Sequence, residues 1–204
     1  MINHAPKTNY DGSYFLWSKI DKKWGGELFS CYSDFYLQKY LDDHNCETLF
    51  TFKNEREMLH CIKEWEKAWN ENRYFRWIIQ SKKSKKIAGT IEIASIPNTE
   101  NYVKDVLAKP IGSFIENPTH LFEQNVQNGV LRIDIISDFA KENLFNNLLI
   151  TVKKHFFTEY NLKNIIVQCF ASDSERYRAV RKNNFHQLNF NGCQLENYFI
   201  QTDY

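Results

Sequence analysis

Two carboxylates stand inside apolar runs of the sequence, where burial would change their chemistry. Glu92 lies in the segment TIEIA and Asp134 in the segment RIDII. Burial disfavours the charged form of a carboxyl group and raises its pKa, as a general base that accepts a proton from a substrate requires. The alternative is that both carboxylates have a structural role. On a half-buried strand, each would point outward to solvent or pair with Arg76 or Arg132. Both residues are therefore candidate bases.

A polar run that turns into an apolar-striped helix follows the second of these segments, with the sequence SDFAKENLFNNLL (137–149). The N–H groups at a helix start bind anions, and strand-to-helix loops of α/β proteins often bind phosphate in this way. Such loops usually contain glycine, because the backbone must turn sharply and approach the ligand closely. This run has none, so it is a phosphate site, the relic of one, or an ordinary helix start.

Basic residues cluster on a predicted helix near the C-terminus and in a short run between two strand-like segments. The run KKSKK (82–86) is predicted as a charged hairpin tip, and the histidines show no metal-ligand spacing. The helical cluster suits either a phosphate group or a solvated helix face, on which Glu175 would pair with an arginine one turn later. Its members are Arg176, Arg178, Arg181 and Lys182.

The composition is typical of a globular domain without a strong attraction to polyanions. The 204 residues are 43% hydrophobic, and 26 basic against 25 acidic side chains give a net charge of +1. A chain so close to neutral has no global attraction to nucleic acid or to an anionic membrane. The five cysteines are widely spread without a C-x-x-C pair, which predicts reduced thiols. Since neither a signal peptide nor a membrane-spanning run is visible, we expect a cytoplasmic protein.

Hydrophobic periodicity predicts alternating strands and helices in most of the chain. A helix over 55–71 begins with a capping box of Asn54 and Glu57, and β-rich runs at 73–80 and 86–95 follow as a hairpin. The second half is predicted as strand (129–137), helix (to about 160), strand (163–170), helix (175–183) and a hairpin at Asn191-Gly192. This order implies an α/β fold with a right-handed parallel crossover.

Two regions give weaker signals. Within the aromatic-rich N-terminal part, residues 13–20 are predicted as an edge strand and 33–41 as a short helix capped by Ser33. Residues 96–128 form a long excursion with little periodicity, of a length that usually marks a functional flap or unrecognised elements.

The order of elements and several segments resemble the GNAT superfamily of N-acetyltransferases, in particular the branch that acetylates protein N-termini and related amines. IKEWEKAWNEN, RYFRWII and KKIAGTIEI are similar to that branch's second helix, second strand and third strand. GVLRIDIISDFAKENLFNNLL is similar to the fourth strand and third helix, and ASDSERYRAVRKNNF to the fourth-helix motif. The resemblance extends from about residue 33 to the C-terminus, and the segment 1–32 matches poorly. It implies that residues 1–204 form one GNAT-like domain, with a mixed twisted sheet and helices on both faces.

The resemblance also implies acetyl-CoA as cosubstrate and assigns residues to it. Asp173 belongs to the fourth-helix motif, Arg178 and its basic neighbours would meet the 3′-phosphate, and Tyr177 is the phenol nearest to the family's general acid. The pantetheine arm would be held by backbone groups of Ile135, Ile136 and Ser137. The pyrophosphate would meet the helix start at Lys141, Glu142, Asn143, Leu144 and Phe145.

The sequence departs from the family pattern where the chemistry is expected. The family's Arg/Gln-x-x-Gly-x-Gly/Ala loop corresponds to residues 140–145 here, without the basic residue and without both glycines. Phe145 would obstruct a phosphate unless the helix start is shifted, and Glu142 adds a like charge. Val180 stands where many members have the tyrosine acid, and Asn184 replaces the glycine before Phe185.

The resemblance therefore implies an acetyl-CoA-dependent N-acetyltransferase that acts on a primary amine, either a protein N-terminus or a small molecule. The alternative is a non-catalytic GNAT-like domain that binds a partner, a peptide or an acyl-CoA without turnover. No membrane, metal or nucleic-acid partner is expected, and a homodimer is left open.

Overall fold

A computed structural model describes residues 6–40, 50–96, 128–190 and 193–202 of the chain. Within these residues, eight strands form one sheet in the order β1-β2-β3-β4-β5-β6-β8-β7. The strands are β1 (Asn9–Asp11), β2 (Phe15–Lys19), β3 (Tyr74–Ser81), β4 (Ile87–Ile96), β5 (Asn128–Ile135), β6 (Asn164–Gln168), β7 (His186–Phe190) and β8 (Cys193–Thr202). The helices of the same residues are α1 (Gly25–Tyr32), α2 (Phe35–Lys39), α3 (Glu55–Asn70), α4 (Glu142–Glu159) and α5 (Ser174–Lys182).

The sheet is mixed, because β5 and β6 are parallel while the other neighbouring strands are antiparallel. Helix α4 connects the parallel pair, as such a pair requires. The predicted α/β class and the β3–β4 hairpin are confirmed. The Asn191-Gly192 turn and residues 97–127 of the predicted excursion lie outside the described residues. None of the helices that the structure describes combines the length and the apolar character needed to cross a bilayer.

Helices cover both faces of the sheet, because side chains of the central strands alternate between them. On β3, Phe75 and Trp77 belong to the apolar core that includes α4, whereas Ile78 belongs to the core under α1 and α3. The α4 residues in the first core include Leu148, Leu149, Val152 and Phe156. Burial of such large side chains stabilises the layers by about 2 kcal/mol each.

Helix α3 begins and packs as its sequence predicts. The side chain of Asn54 accepts a hydrogen bond from the N–H of Glu57 (3.1 Å), which satisfies a donor that the first helical turn leaves unpaired. The carboxylate of Glu57 reaches back to the N–H of Lys53 (2.8 Å). The buried residues recur at three- and four-residue spacing, namely Met58, Ile62, Trp65, Ala68 and Trp69.

Two N-terminal elements differ from their predictions. Strand β2 pairs with both β1 and β3, so the short β1 forms the edge of the sheet in its place. Three residues of β1 are too few to show a period. The cap of α2 is Asp34 instead of Ser33, because the Asp34 carboxylate accepts the N–H of Leu37 (3.0 Å). Both residue types are good caps, and the sequence pattern does not separate them.

Gly89 marks a close approach between the backbones of β4 and β5. Its φ is +143°, a conformation that side-chain-bearing residues rarely adopt, and an added Cβ would lie 1.9 Å from the carbonyl oxygen of Asp134. The glycine within the segment IAGTI is therefore required by the pairing of these two strands.

Gly89→Ala is expected to lower the free energy of unfolding by about 3 kcal/mol or more, because a backbone clash adds to an unfavourable φ. Gly26→Ala in α1 is the matched control, since its Cβ would come no closer than 3.6 Å to Glu55. The control should be neutral or stabilising by up to about 1 kcal/mol. Urea unfolding of both variants measures the difference, and similar stabilities would contradict the close approach.

Candidate functional site

The parallel strands β5 and β6 part halfway along β5. Their paired register ends at Leu131 and Val167, whereas β5 continues to Ile135. Along that last stretch, no strand of the described residues pairs with this edge of β5. The parting creates an opening between the two strands, and helix α4 starts shortly after the C-terminal end of β5.

The backbone groups that face this opening follow from the pairing of β5 with β4. Ile136 donates its N–H to the carbonyl of Ala88 (2.9 Å), so every second residue of β5 turns its backbone toward β4. Ile133 and Ile135 therefore direct their N–H and C=O groups into the opening. Of the predicted pantetheine-binding groups, Ile135 fits this geometry. The N–H of Ile136 faces β4 instead, and its predicted contact with the pantetheine arm stays a prediction.

Aromatic side chains of the α2 segment flank the opening. The hydroxyl of Tyr40 donates to the carbonyl of Ser172 (2.9 Å), and the hydroxyl of Tyr36 donates to the carboxylate of Asp173 (2.6 Å). The ring centroids of Tyr40 and Phe170 are 6.4 Å apart. These contacts hold α2 against the segment that begins α5. The lining residues include Tyr40, Arg132, Asp134, Gln168, Phe170 and Arg176.

Ser137, two residues after the end of β5, is bound by the residue that caps α2. Its N–H donates to Asp34 Oδ1 (3.1 Å) and its hydroxyl donates to Asp34 Oδ2 (2.7 Å). Partial burial alone would raise the pKa of Asp34, but the hydrogen bonds from Ser137 and from the N–H of Leu37 lower it. An ionised carboxylate thus occupies the donors of Ser137 that the resemblance assigns to the coenzyme.

A second carboxylate occupies the start of α4. The N–H of Glu142, the first residue of the helix, donates to Glu175 Oε2 (2.8 Å), and this bond lowers the pKa of Glu175. Arg178 bridges the two acids, since its Nε donates to Glu142 Oε2 (2.9 Å) and its NH2 group pairs with Glu175. Lys182 Nζ lies 3.6 Å from Glu142 Oε1. The helix start therefore binds an anion that belongs to the chain itself.

Phe145 does not obstruct this position. A 3-10 turn at Ser137–Phe139 delays the helix to Glu142, and the Phe145 side chain is fully buried in the core. The N–H groups of Leu144 and Phe145 both donate to the carbonyl of Lys141 (3.0 Å each), so neither points to a ligand. Their contact with a pyrophosphate, which the resemblance implies, stays a prediction. Lys141 and Asn143 are exposed beside the start of the helix.

Asp173, predicted to lie near the coenzyme, caps α5. Its carboxylate accepts the N–H of Arg176 (3.2 Å) and lies 3.0 Å from Arg176 Nε, and the residue is almost completely buried. The guanidinium of Arg176 lies over the ring of Phe145 at 5.1 Å. Tyr36 donates to the same oxygen, Oδ1, as the N–H of Arg176, whereas Oδ2 lies beside the Arg176 guanidinium.

The first candidate base, Asp134, lies in a buried charge cluster on the sheet face under α1 and α3. It accepts hydrogen bonds from Arg132 Nε (2.9 Å) and from the hydroxyl of Tyr32 (2.7 Å), and Arg76 NH1 lies 3.4 Å away. Burial alone would raise the pKa of Asp134, but the charges of Arg132 and Arg76 and the bond from Tyr32 lower it. A carboxylate held ionised in this way is a weak proton acceptor.

The second candidate base, Glu92, binds the same arginine. Arg76 Nε and NH2 both reach Glu92 Oε2 (2.8 and 2.7 Å), and the Arg76 guanidinium lies 4.1 Å from the centre of the Trp65 ring. The Glu92 side chain is 15% exposed against 6% for Asp134, so it is the more accessible of the two. The ion-pair alternative for both residues is observed, and their catalytic role stays a prediction.

Tyr177, the candidate acid, packs its ring edge-on against Phe199 with centroids 5.5 Å apart. It is half-buried on α5, and its role also stays a prediction.

The sequence interpretation missed Asp34, Tyr36 and the contact of Glu175 with Glu142. The only local signal was the spacing of Glu175 and Arg178, because the other partners are distant in sequence.

Solved structures with a similar fold are GNAT acetyltransferases. One is the microcin C7 self-immunity acetyltransferase MccE in complex with acetyl-CoA and AMP (TM-score 0.63, 11% identity, 98% of this chain and 99% of that one). Another modifies the N-terminal serine of ribosomal protein L7/L12 in Salmonella typhimurium (0.61, 11%, 94% and 96%). A third is a GNAT-family acetyltransferase from Bacillus anthracis (0.61, 13%, 95% and 98%). These likenesses confirm the predicted GNAT fold.

Comparison of the sequence alone gives no assignment. No family model matches the chain, and no curated protein matches it. At identities of 9–13%, the structural likenesses carry information about the fold and not about residue roles.

Asp134→Asn is expected to lower the free energy of unfolding at pH 7 by about 3 kcal/mol, because it removes the buried negative charge that Arg132 binds and that lies beside Arg76, and leaves Glu92 as the carboxylate paired with Arg76. The pKa of Asp134 is lowered on folding, so its stabilisation is complete above the unfolded value of about 3.9 and is lost as the pH falls through the folded value. The difference between the variant and the parent protein should therefore shrink in acid, which urea unfolding at several pH values measures.

Asp138→Asn is the matched control, because the Asp138 side chain is 66% exposed and lies 3.9 Å from Lys86 Nζ. We expect a change of less than about 0.5 kcal/mol. Equal losses in the two variants would contradict the structural role of the buried cluster.

Proposed function

We propose that this chain, which has the fold of the GNAT acetyltransferases, transfers an acetyl group from acetyl-CoA to a primary amine. The parting of β5 and β6 carries the proposal, because within the described residues it leaves the last part of β5 without a strand partner on that edge, shortly before α4 begins. A similarly folded protein modifies a protein N-terminus and another binds acetyl-CoA, which supports an amine acceptor and this donor.

The backbone at the opening fits an extended ligand with an anionic end. Ile133 and Ile135 present alternating donors and acceptors that suit the amide groups of a pantetheine arm. The first N–H of α4 is directed at an anion, since Glu175 already binds it. Lys141 and Lys182 line the adjacent surface and supply positive charge. Acetyl-CoA would supply the activated thioester, and the chain would bind and orient it.

Positioning is the main contribution that this chain's residues would make to the reaction. Since Asp134 is buried and doubly paired, Glu92 is the better candidate to accept the proton of the amine, with Arg76 holding its orientation. Tyr177 is the candidate to donate a proton to the leaving thiolate. Holding two reactants in contact is itself worth several kcal/mol of the barrier.

A second function is favoured by the same contacts: a GNAT-fold domain that binds a partner or an acyl-CoA without turnover. Two carboxylates hold donors that a coenzyme would need, and both candidate bases are in ion pairs. A fold of this kind does not by itself require activity. Measured turnover separates the two functions.

Incubation with acetyl-CoA and a peptide with a free N-terminus should release thiol at a rate that depends on the peptide. Glu92→Gln is expected to lower kcat about 100-fold if Glu92 is the base, because general catalysis contributes factors of this size. Tyr177→Phe should also lower kcat, by a smaller factor, since it removes only the hydroxyl. Thiol release and peptide mass measure both effects.

Tyr14→Phe is the control for loss of a hydroxyl, because Tyr14 is exposed and lies outside the site. It should leave kcat unchanged. Coenzyme binding by calorimetry without thiol release from any amine would favour the non-catalytic function. Absence of both binding and thiol release with millimolar acetyl-CoA would remove the proposal.

A further inference from the structure

We infer that Glu175 and Asp34 act as intramolecular ligands that compete with coenzyme A for the backbone donors around the start of α4. The inference rests on the proposed function, because it concerns the coenzyme of the same site. It adds that the chain weakens its own hold on the coenzyme with two identified side chains, Glu175 at a donor assigned to the diphosphate and Asp34 at the donors of Ser137 assigned to the pantetheine arm. Their removal should therefore strengthen binding.

Glu175 makes the more easily broken of the two contacts. Its carboxylate accepts the N–H of Glu142 at 2.8 Å, yet its side chain is 37% exposed and its other partner is the half-exposed Arg178. A surface carboxylate in such a pair contributes little energy and can rotate into solvent. When it rotates away, the N–H of Glu142 and the NH2 group of Arg178 become available to an incoming phosphate oxygen, while Arg178 Nε stays on Glu142.

Charge repulsion accompanies this competition. Glu142 itself carries a carboxylate beside the same N–H, with Arg178 at 2.9 Å and Lys182 at 3.6 Å as its partners. A diphosphate bound there would face the carboxylates of Glu142 and Glu175 with these two cations already engaged. The bound carboxylate of Glu175 therefore opposes the ligand both by occupying its donor and by like charge.

Asp34 makes the firmer contact. Both of its oxygens accept hydrogen bonds from Ser137, and Oδ1 also caps α2 by accepting the N–H of Leu37. Tyr36 and Tyr40 tie the same helix to the beginning of α5. Because these bonds restrain α2, the donors of Ser137 become available only if the α2 segment shifts, whereas a side-chain rotation suffices at Glu175.

The test measures coenzyme A affinity by calorimetry at low ionic strength. Glu175→Gln keeps an oxygen that can accept the N–H of Glu142 but removes the charge, and Glu175→Ala removes both. We expect both variants to bind coenzyme A about fivefold more tightly than the parent chain, with the alanine variant at least as tight as the glutamine variant.

Glu71→Gln is the matched control, because it removes one carboxylate from an exposed pair with Arg73 at the end of α3. It changes the net charge of the chain by the same amount and should leave affinity within about twofold. Dephospho-coenzyme A, which keeps the diphosphate, should show the same gain as coenzyme A in the Glu175 variants. A gain confined to coenzyme A would assign the effect to the 3′-phosphate and overturn the inference.

Asp34→Asn tests the second contact without removing the cap, since asparagine caps helices about as well as aspartate. Combined with Glu175→Gln, it should give a further gain, because the two carboxylates bind separate donors. Circular dichroism and thermal unfolding check that each variant is folded.

The outcomes separate this inference from the proposed function. If the parent chain binds coenzyme A and the Glu175 variants bind equally or more weakly, the inference is wrong and the proposed function stands. If neither the parent chain nor the double variant binds at millimolar coenzyme, both are overturned, because the carboxylates are then not what opposes binding.

Discussion

Backbone N–H groups need hydrogen-bond acceptors, and the part of β5 that extends beyond its pairing with β6 leaves several N–H groups to be satisfied in other ways. Within the part of the chain that the structure describes, the parallel pair stops at Leu131 and the following residues of β5 have no neighbouring strand on that edge, and a helix start leaves its first N–H groups unpaired. In this protein, carboxylates of α2 and α5 meet part of the requirement at Ser137 and Glu142. The position of α2, the start of α4 and the cap of α5 are linked through these bonds.

The buried charge cluster is the second arrangement that determines the chemistry. Arg76, at 1% exposure, lies between Glu92, Asp134 and the Trp65 ring, and it joins β3, β4 and β5 under α1 and α3. Two arginines and two carboxylates balance in charge, so the group is tolerated in an apolar layer. The same balance lowers the pKa of Asp134, which removes it from the range of a good general base. Stability and catalysis thus make opposite demands on this carboxylate.

The backbone fold of this chain indicates an acetyltransferase, whereas the side chains at the expected diphosphate site do not suit a diphosphate. The fold is that of the GNAT acetyltransferases, which similar solved structures share over nearly the whole chain. The side chains at the helix start are unusual for a diphosphate site, because they are acidic and already bonded. A fold can keep its backbone geometry while side chains change what the geometry binds.

Much of the fold could be predicted from the sequence because the determining interactions are local. The cap at Asn54, the period of the apolar residues in α3 and the alternation in β3 and β4 involve neighbours within a few positions. These signals predicted the class, the hairpin and the order of elements. The three residues of β1 gave no such signal, and the edge of the sheet was assigned to β2.

The sequence by itself determined that this chain alternates strands and helices, lacks glycine at its helix start, and carries acids on strands beside arginines. The tertiary structure decided which groups meet. Asp34 binds Ser137 across 103 positions and Glu175 binds Glu142 across 33, and a 3-10 turn brings Phe145 into the core. Such contacts depend on how whole elements pack against one another. No local period or cap specifies them, so residue types alone could not show that the anion at α4 belongs to the chain.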